Sequence, residues 1–351
     1  MPARLDINLD AIVANWRMFA ARNPRAHAAA VVKADAYGLG AARVGPALAD
    51  AGCTRFYVAW PEEGARLRDT LGPAPEIVVF HGPTQDTLPI FEAHQLEPVL
   101  NSIAQIDLWL AGPLAQRRAS LHLDTGMNRL GVPRSQWAEA AEKFPRPRRL
   151  LSHLACGDEF GHPMNAQQLE AFESARPLWP EARRSLSATG GAYQAGRYTM
   201  DEIRPGIGLY GGGPDAPEGE TVKTVVTLTS PVIQVKTVRS GETVGYGATW
   251  TAPAEAQLAT VGLGYADGFL RAASNRGMGV IRGEKRPIVG RVSMDLIVID
   301  VTRLKVAPGD EIQFLGPDMP ISEVAAAMNT IDYEILTRLG SRFDRRYSGA
   351  A

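Results

Sequence analysis

Lys33 ends the apolar run AAAVV at residues 28–32 and is followed closely by Tyr37, Gly38 and Gly40. An ammonium at the end of a buried strand is costly to desolvate unless its amine does chemistry. Other groups able to hold or act on an anion recur just past short apolar runs. Asp124 and Arg129 follow SLHL, His153 follows RLLS, and Ser187 and Thr189 lie in SLSATGG. Arg204 opens RPGIG, ahead of Gly206 and Gly208. Glycines in those last two stretches would let backbone N–H groups close on an anion. Singly, each residue has a plainer reading: a solvated edge lysine, a core histidine, a rim ion pair, a structural turn. A shared location would set them apart.

The elements decide whether they share one. Over the first 210 residues short apolar runs alternate with helical patterns, which argues for parallel βαβ units. The strands expected are 28–33, 55–60, 76–82, 96–102, 120–126, 149–155, 185–191 and 207–212. Helices are expected over 10–21, 61–70, 102–110, 134–143 and 165–175. Eight strands at this pitch fit an α/β fold with an N-terminal (β/α)8 TIM-like barrel; a doubly wound open sheet is the competitor. In a barrel the strand ends form one rim, where Lys33, Arg129, His153 and Arg204 would converge, with a phosphate between the last two loops. A desolvated lysine facing a phosphorylated, carbonyl-bearing ligand points to a Schiff base, and pyridoxal 5'-phosphate is the cofactor expected.

Composition excludes several classes. The 351 residues are 45% apolar and 21% charged with a net charge of −1, ordinary for a globular protein and without the basic excess that nucleic acid or an anionic membrane would require. No run is long and apolar enough for a membrane span, and the first sixteen residues lack a signal-peptide core. Two cysteines, Cys53 and Cys156, form no framework. A cytoplasmic protein is expected, without a metal site.

Near residue 220 the texture changes. KTVVTLTS, PVIQVKTV, AQLATVGLG, KRPIVGRV and DLIVIDVT are rich in Val, Ile and Thr, with turn chemistry between them. Two domains are predicted: residues 1–218 as the cofactor-binding barrel, and 219–351 as a mostly-β domain with a short helical tail. The glycine-rich 208–220 would connect them.

VVKADAYGLG, LDTGMNRLG, RPGIGLYG, VGYGATW, GYADGF and VGRVSMD occur here in the order and approximate spacing of bacterial alanine racemases, which the chain resembles from end to end. The resemblance implies a pyridoxal phosphate enzyme interconverting L- and D-alanine, with two bases because inverting a stereocentre needs proton removal on one face and return on the other. Lys33 would bind the cofactor and serve the D face, and Tyr246 the L face. Amine and phenol side chains both titrate far above neutrality in water, so such a site must help them exchange protons. In the family the tyrosine comes from the neighbouring subunit, implying a head-to-tail homodimer with shared active sites.

The resemblance also implies that Tyr37, Thr189, Gly206 and Ile207 meet the phosphate and that Arg204 faces the pyridine nitrogen. A guanidinium cannot accept a proton, which would keep the ring a weak electron sink. His153 would lie near the cofactor, while Arg129 and the Met294 N–H would hold the substrate carboxylate. Tyr265, Asp158, Arg271 and Arg291 would line the entry route. Two positions depart from the family pattern: His122 stands where a carbamylated lysine often buttresses the arginine, and Ser341 where a tyrosine often narrows the pocket. A broad-specificity amino acid racemase is therefore the alternative. Decarboxylases of basic amino acids fit less well, because they place glutamate against the ring nitrogen. Small pyridoxal phosphate-binding proteins lack the second domain.

Overall fold

The small, apolar 28–32 stretch packs without obstruction and becomes part of the first strand of a parallel barrel. A computed structural model of the chain describes residues 2–194, 196–216 and 221–350; the expected boundary at 218/219 lies outside these. Two compact units form, one from residues 12–209 with 213–222, the other from 1–11, 210–212 and 223–351.

In the first unit, parallel pairing runs in order through Ala30–Val31, Arg55–Val58, Glu76–Val79, Glu97–Leu100, Ser120–His122, Arg149–Leu151 and Arg183–Ser185. An eighth strand, Glu202–Ile203, lies parallel to His27–Ala28. Its far edge is tied to the seventh by Asp201 N–H on the Arg184 carbonyl at 3.0 Å and Arg204 N–H on that of Ser187 at 2.9 Å. Ala29 and Val31 donate to the Ile203 and Pro205 carbonyls on the other side. The sheet therefore closes on itself, which rules out the open doubly wound alternative.

The eighth strand is not where the sequence placed it. Residues Ile207–Tyr210 form a 3-10 turn, and the strand is the preceding Glu202–Ile203. Pro205 has no N–H for a ladder, and Glu202 reads as a surface residue although it is 1% exposed. Likewise the seventh strand is Arg183–Ser185, so that of the expected 185–191 only Ser185 is in it, and Thr189–Tyr193 is a helical turn. The flanking helices Pro61–Leu71, Ile103–Ala111, Trp137–Lys143 and Pro163–Ser174 fall where periodicity put them. Ser102 accepts the Gln105 N–H at 3.2 Å as an N-cap, and Pro61 opens its helix at a position where the missing donor has no partner to lose.

What hides Glu202 is an ionic layer across the N-terminal ends of the strands. Arg149 donates to Glu97 and Glu76 at 2.6 Å each, Arg55 donates to Glu76 at 2.6 Å and also pairs with Glu202, and Ser120 donates to Glu97 at 2.5 Å. Tyr57 donates its phenol to Glu202. Burial alone would raise the Glu76 carboxyl, but Arg55, Arg149 and Arg148 together hold it down at about 2. Removing one member would leave its partners with too little opposite charge to offset their desolvation. This layer closes one mouth and leaves the opposite one, at the strands' C-terminal ends, for chemistry.

The second unit is built on Val226–Val238, a long strand that pairs antiparallel with Arg4–Asn8, Glu311–Leu315 and Ala256–Val261. Arg4–Asn8 also pairs parallel with Asp344–Ser348, so both ends of the chain enter one sheet. Leu5 and Ile7 are fully buried while their neighbours reach the surface, the alternation of a strand covered on one face. The helical tail is Ile321–Ala327 and Asp332–Thr337. A hairpin of Thr243–Val244 and Trp250–Thr251 sits on a cluster including Val238, Leu258 and Val289, and carries Tyr246 in its turn.

Candidate active site

Beyond the first strand the backbone turns in an unusual sense. Ala34, Asp35, Ala36 and Tyr37 all have positive φ, between 51° and 57°, and so make one turn of left-handed helix. Non-glycine residues resist this by roughly 1–2 kcal/mol each. The turn is held by Ala36 N–H on the Val32 carbonyl at 2.9 Å and Gly40 N–H on that of Asp35 at 2.9 Å. The Asp35 carboxylate accepts the Ala41 N–H at 2.7 Å, while Ala36 and Tyr37 are buried. The result keeps Lys33 at the strand end and carries Tyr37 back over the barrel.

The Lys33 ammonium lies 5.8 Å from the centroid of Phe80, which stacks on Tyr57. Burial and then Arg129 lower the proton affinity of Lys33, against an opposing pull from Glu63. Three histidines share the mouth. His81, after the third strand, is lowered by burial and by Lys33. Burial pushes His122 to about 4 and His153 to about 3, with Arg204 and Arg129 acting in the same direction. Neutral imidazoles among an amine and two guanidiniums leave a site short of negative charge, which an anionic ligand would supply.

Arg129 is presented by a closed excursion of the chain. Asp124 accepts the N–H groups of Gly126 at 2.9 Å and Asn128 at 3.1 Å, and Val132 N–H returns to the His122 carbonyl at 2.8 Å. The guanidinium at its tip is exposed, with no hydrogen-bond or ion-pair partner among the described residues. His122 bonds through Nδ1 to Asn101 Oδ1 at 2.9 Å. Being uncharged, it does not stand in for the negative charge of a carbamate.

The anion cradle forms where the last two strands end. Thr189 Oγ1 accepts the N–H groups of Gly206 at 3.1 Å and Gly208 at 3.2 Å, leaving its own hydroxyl proton to donate. A Cβ at Gly206 would lie 2.3 Å from the Tyr37 hydroxyl, so only glycine permits that approach. Ile207 is fully buried beside it. Arg204, 3% exposed, donates to the Ser152 carbonyl at 2.6 Å and to the Ser185 hydroxyl, which locks its plane. Asp158 is exposed beyond the sixth strand, its Oδ1 2.4 Å from where a Cβ at Gly190 would sit.

The remaining expected residues gather on the second unit. Tyr246 is 71% exposed, Met294 53% and Tyr265 42%, far more than large apolar side chains usually are. Tyr265 N–H bonds to the Ser293 carbonyl at 3.0 Å, which joins the last two. The exposed Arg291 guanidinium would contact a Cβ at Gly247 at 3.0 Å, and so it sits beside Tyr246. Arg271 belongs to the same face through Ser274, which accepts the Val292 N–H at 3.0 Å and donates to the Arg271 carbonyl at 2.6 Å. Sequence reasoning found these two clusters but missed Ser152, Ser185, Asn101, His81 and Glu63. Only the HG pair after the third strand and the WPEE helix start could have flagged any of them.

The chain matches the family model for the alanine racemase N-terminal domain over residues 7–214 and the model for the alanine racemase C-terminal domain over 225–347. It belongs to the alanine racemase family. A Rhodospirillum rubrum alanine racemase is 45% identical over 359 residues, covering 99% of this chain and 96% of that one. The alanine racemase structure from Bartonella henselae, which has covalently bound pyridoxal phosphate, superposes with a TM-score of 0.94 at 36% identity, covering 99% of this chain and all of that one. The biosynthetic alanine racemase of Pseudomonas aeruginosa gives 0.91 at 34%, covering 99% of each. The family fold, a barrel with a mostly-β domain, is therefore the one expected from the residues. No helix among the described residues is long and apolar enough to cross a membrane.

Proposed function

We infer that the chain is a pyridoxal phosphate-dependent alanine racemase that works by two bases. The observation that carries this reading is a partly buried amine, Lys33, sharing one barrel mouth with Arg129, Arg204, neutral histidines and the Thr189–Gly206 cradle. The residues fit the cofactor. Tyr37, Thr189, Gly206 and Ile207 suit a phosphate, the approach of Gly206 to the Tyr37 hydroxyl leaving no room for a side chain. Arg204 suits the ring nitrogen, and Lys33 the covalent link. Bound there, pyridoxal phosphate supplies an electron sink that makes an amino acid's Cα proton removable.

The chain's own groups do the rest. Lys33 exchanges the proton on the D face and Tyr246 on the opposite one. Arg129 holds the carboxylate with the Met294 N–H, and His153 supports the site as an uncharged hydrogen-bonding group. Tyr265, Asp158, Arg271 and Arg291 line the entry, where two guanidiniums draw in a carboxylate. The exposure of Tyr246 supports completion of each site by a second copy, in a head-to-tail homodimer. Either direction is served, supplying D-alanine for peptidoglycan or degrading it.

Purified protein incubated with single L-amino acids, with and without pyridoxal phosphate, is expected to racemise alanine only with the cofactor. Racemising serine or lysine as fast as alanine would move the assignment to a broad-specificity racemase. Borohydride should fix the cofactor on Lys33. Mixed Lys33→Ala and Tyr246→Phe chains should recover up to a quarter to a half of the activity, and no recovery would refute shared sites.

A further inference from the structure

Glu63 stands third in the Pro61–Leu71 helix, and half of its role is ordinary. One carboxylate oxygen accepts the N–H groups of Ala59 at 2.8 Å and Trp60 at 3.2 Å, as a capping glutamate does at a helix start. The other oxygen leaves the helix. It accepts the N–H of Ala34 at 2.7 Å, a residue 29 positions away and the first of the left-handed turn, with φ 51°. Ala34 is also the residue peptide-bonded to Lys33. A cap needs no such bond, and a peptide in a strained conformation needs an external partner to stay there.

We propose that Glu63 is a positioning residue for Lys33: its carboxylate ties the peptide after the lysine to the end of the neighbouring strand and so fixes where the amine stands. Both tethered segments are strand ends of the barrel, the first at Lys33 and the second at Ala59 and Trp60. The geometry therefore ties one rim position to the next through a single charged side chain. Charge-assisted bonds to backbone N–H are the strong kind and resist rotation of the peptide. The same carboxylate also faces the ammonium and favours its charged form, against Arg129. The other titratable groups about Lys33 are His81 and His153, from the third and sixth strand ends. Loss of Glu63 frees the turn to relax, and the amine moves with it.

This inference rests on the racemase reading with Lys33 as the D-face base, and its test separates the two. Full-length wild-type and Glu63→Gln proteins, loaded with pyridoxal phosphate, are compared on D- and L-alanine with protium or deuterium at Cα. A displaced Lys33 lowers kcat/KM in both directions, on the order of 10–100-fold. It also raises the deuterium effect from D-alanine, where Lys33 removes the label, while the effect from L-alanine stays level or falls. A merely structural glutamate would lower the rate and leave both effects unchanged, and that result would overturn the proposal. Should Glu63→Gln not accumulate as folded protein, Glu63→Asp carries the same comparison, because it keeps the charge but draws it back by one methylene. Wild-type protein inactive on alanine would sink the racemase reading instead, before any variant is made.

Discussion

At the residue scale the barrel mouth is organised by which groups carry charge. His122 and His153 are held neutral, at about 4 and about 3, because burial penalises the imidazolium and Arg204 and Arg129 repel it. Both titrate below an unfolded histidine, so the folded state binds fewer protons between those values and about 6.5. Stability from this source is complete above pH 6.5 and is lost as pH falls toward 4 and then 3. His122→Asn is expected to flatten the pH dependence of urea unfolding between pH 6.5 and 4. An unchanged slope would show that His122 is protonated in the fold. Arg129 differs in being exposed and without a hydrogen-bond or ion-pair partner among the described residues. Arg129→Lys keeps the charge but loses the planar fork, and should raise KM for alanine more than it lowers kcat.

At the scale of elements, two backbone conformations matter more than any helix. The first is the left-handed turn over 34–37, and the second is the RPGIG segment. A methyl on Gly206 would press the Tyr37 hydroxyl at 2.3 Å and must displace either the ring or the segment. Gly206→Ala is thus expected to weaken retention of pyridoxal phosphate at least about tenfold, read by dialysis and absorbance, because the cradle opens. Unaltered retention would mean the phosphate is held elsewhere. The glycines of RPGIG were legible as an anion loop, but the strand beside it was not. Glu202 and Arg204 look like surface residues until the barrel closes around them, so a pattern based on apolar runs slides past to IGLY.

Over the whole chain the acidic and basic residues at the strands' N-terminal ends form a structural layer separate from the chemistry. Glu76 is held at about 2, below the usual carboxylate range, and so stabilises the fold above that range and ceases to do so as pH falls toward 2. Arg149, 1% exposed, reaches three glutamates, Glu97, Glu76 and Glu202. Arg149→Met should cost about 3–5 kcal/mol, because only Arg55 and Arg148 then offset the three carboxylates, measurable as a lower denaturation midpoint. A cost under 1 kcal/mol would mean that water already solvates that end. On the second unit, Tyr246, Tyr265 and Met294 remain uncovered. Sedimentation is expected to show a dimer whose dissociation on dilution parallels loss of activity.

Much was decided by residue order alone. Alternating apolar runs and amphipathic segments specify parallel βα units, because each strand must be covered by a helix, and closure of the sheet then selects the barrel. The shift to Val, Ile and Thr specifies a sheet after residue 220. The lysine after the first strand and the glycines near the last declare an amine and an anion loop, since few other roles need those residue types there. Only the tertiary structure decided which polar residues are buried, which end of the barrel they occupy, and that a glutamate 30 positions beyond Lys33 reaches the peptide behind it. The reason is physical. A side chain's type is local, but its desolvation and its hydrogen-bond partners depend on segments that only closure of the barrel brings together.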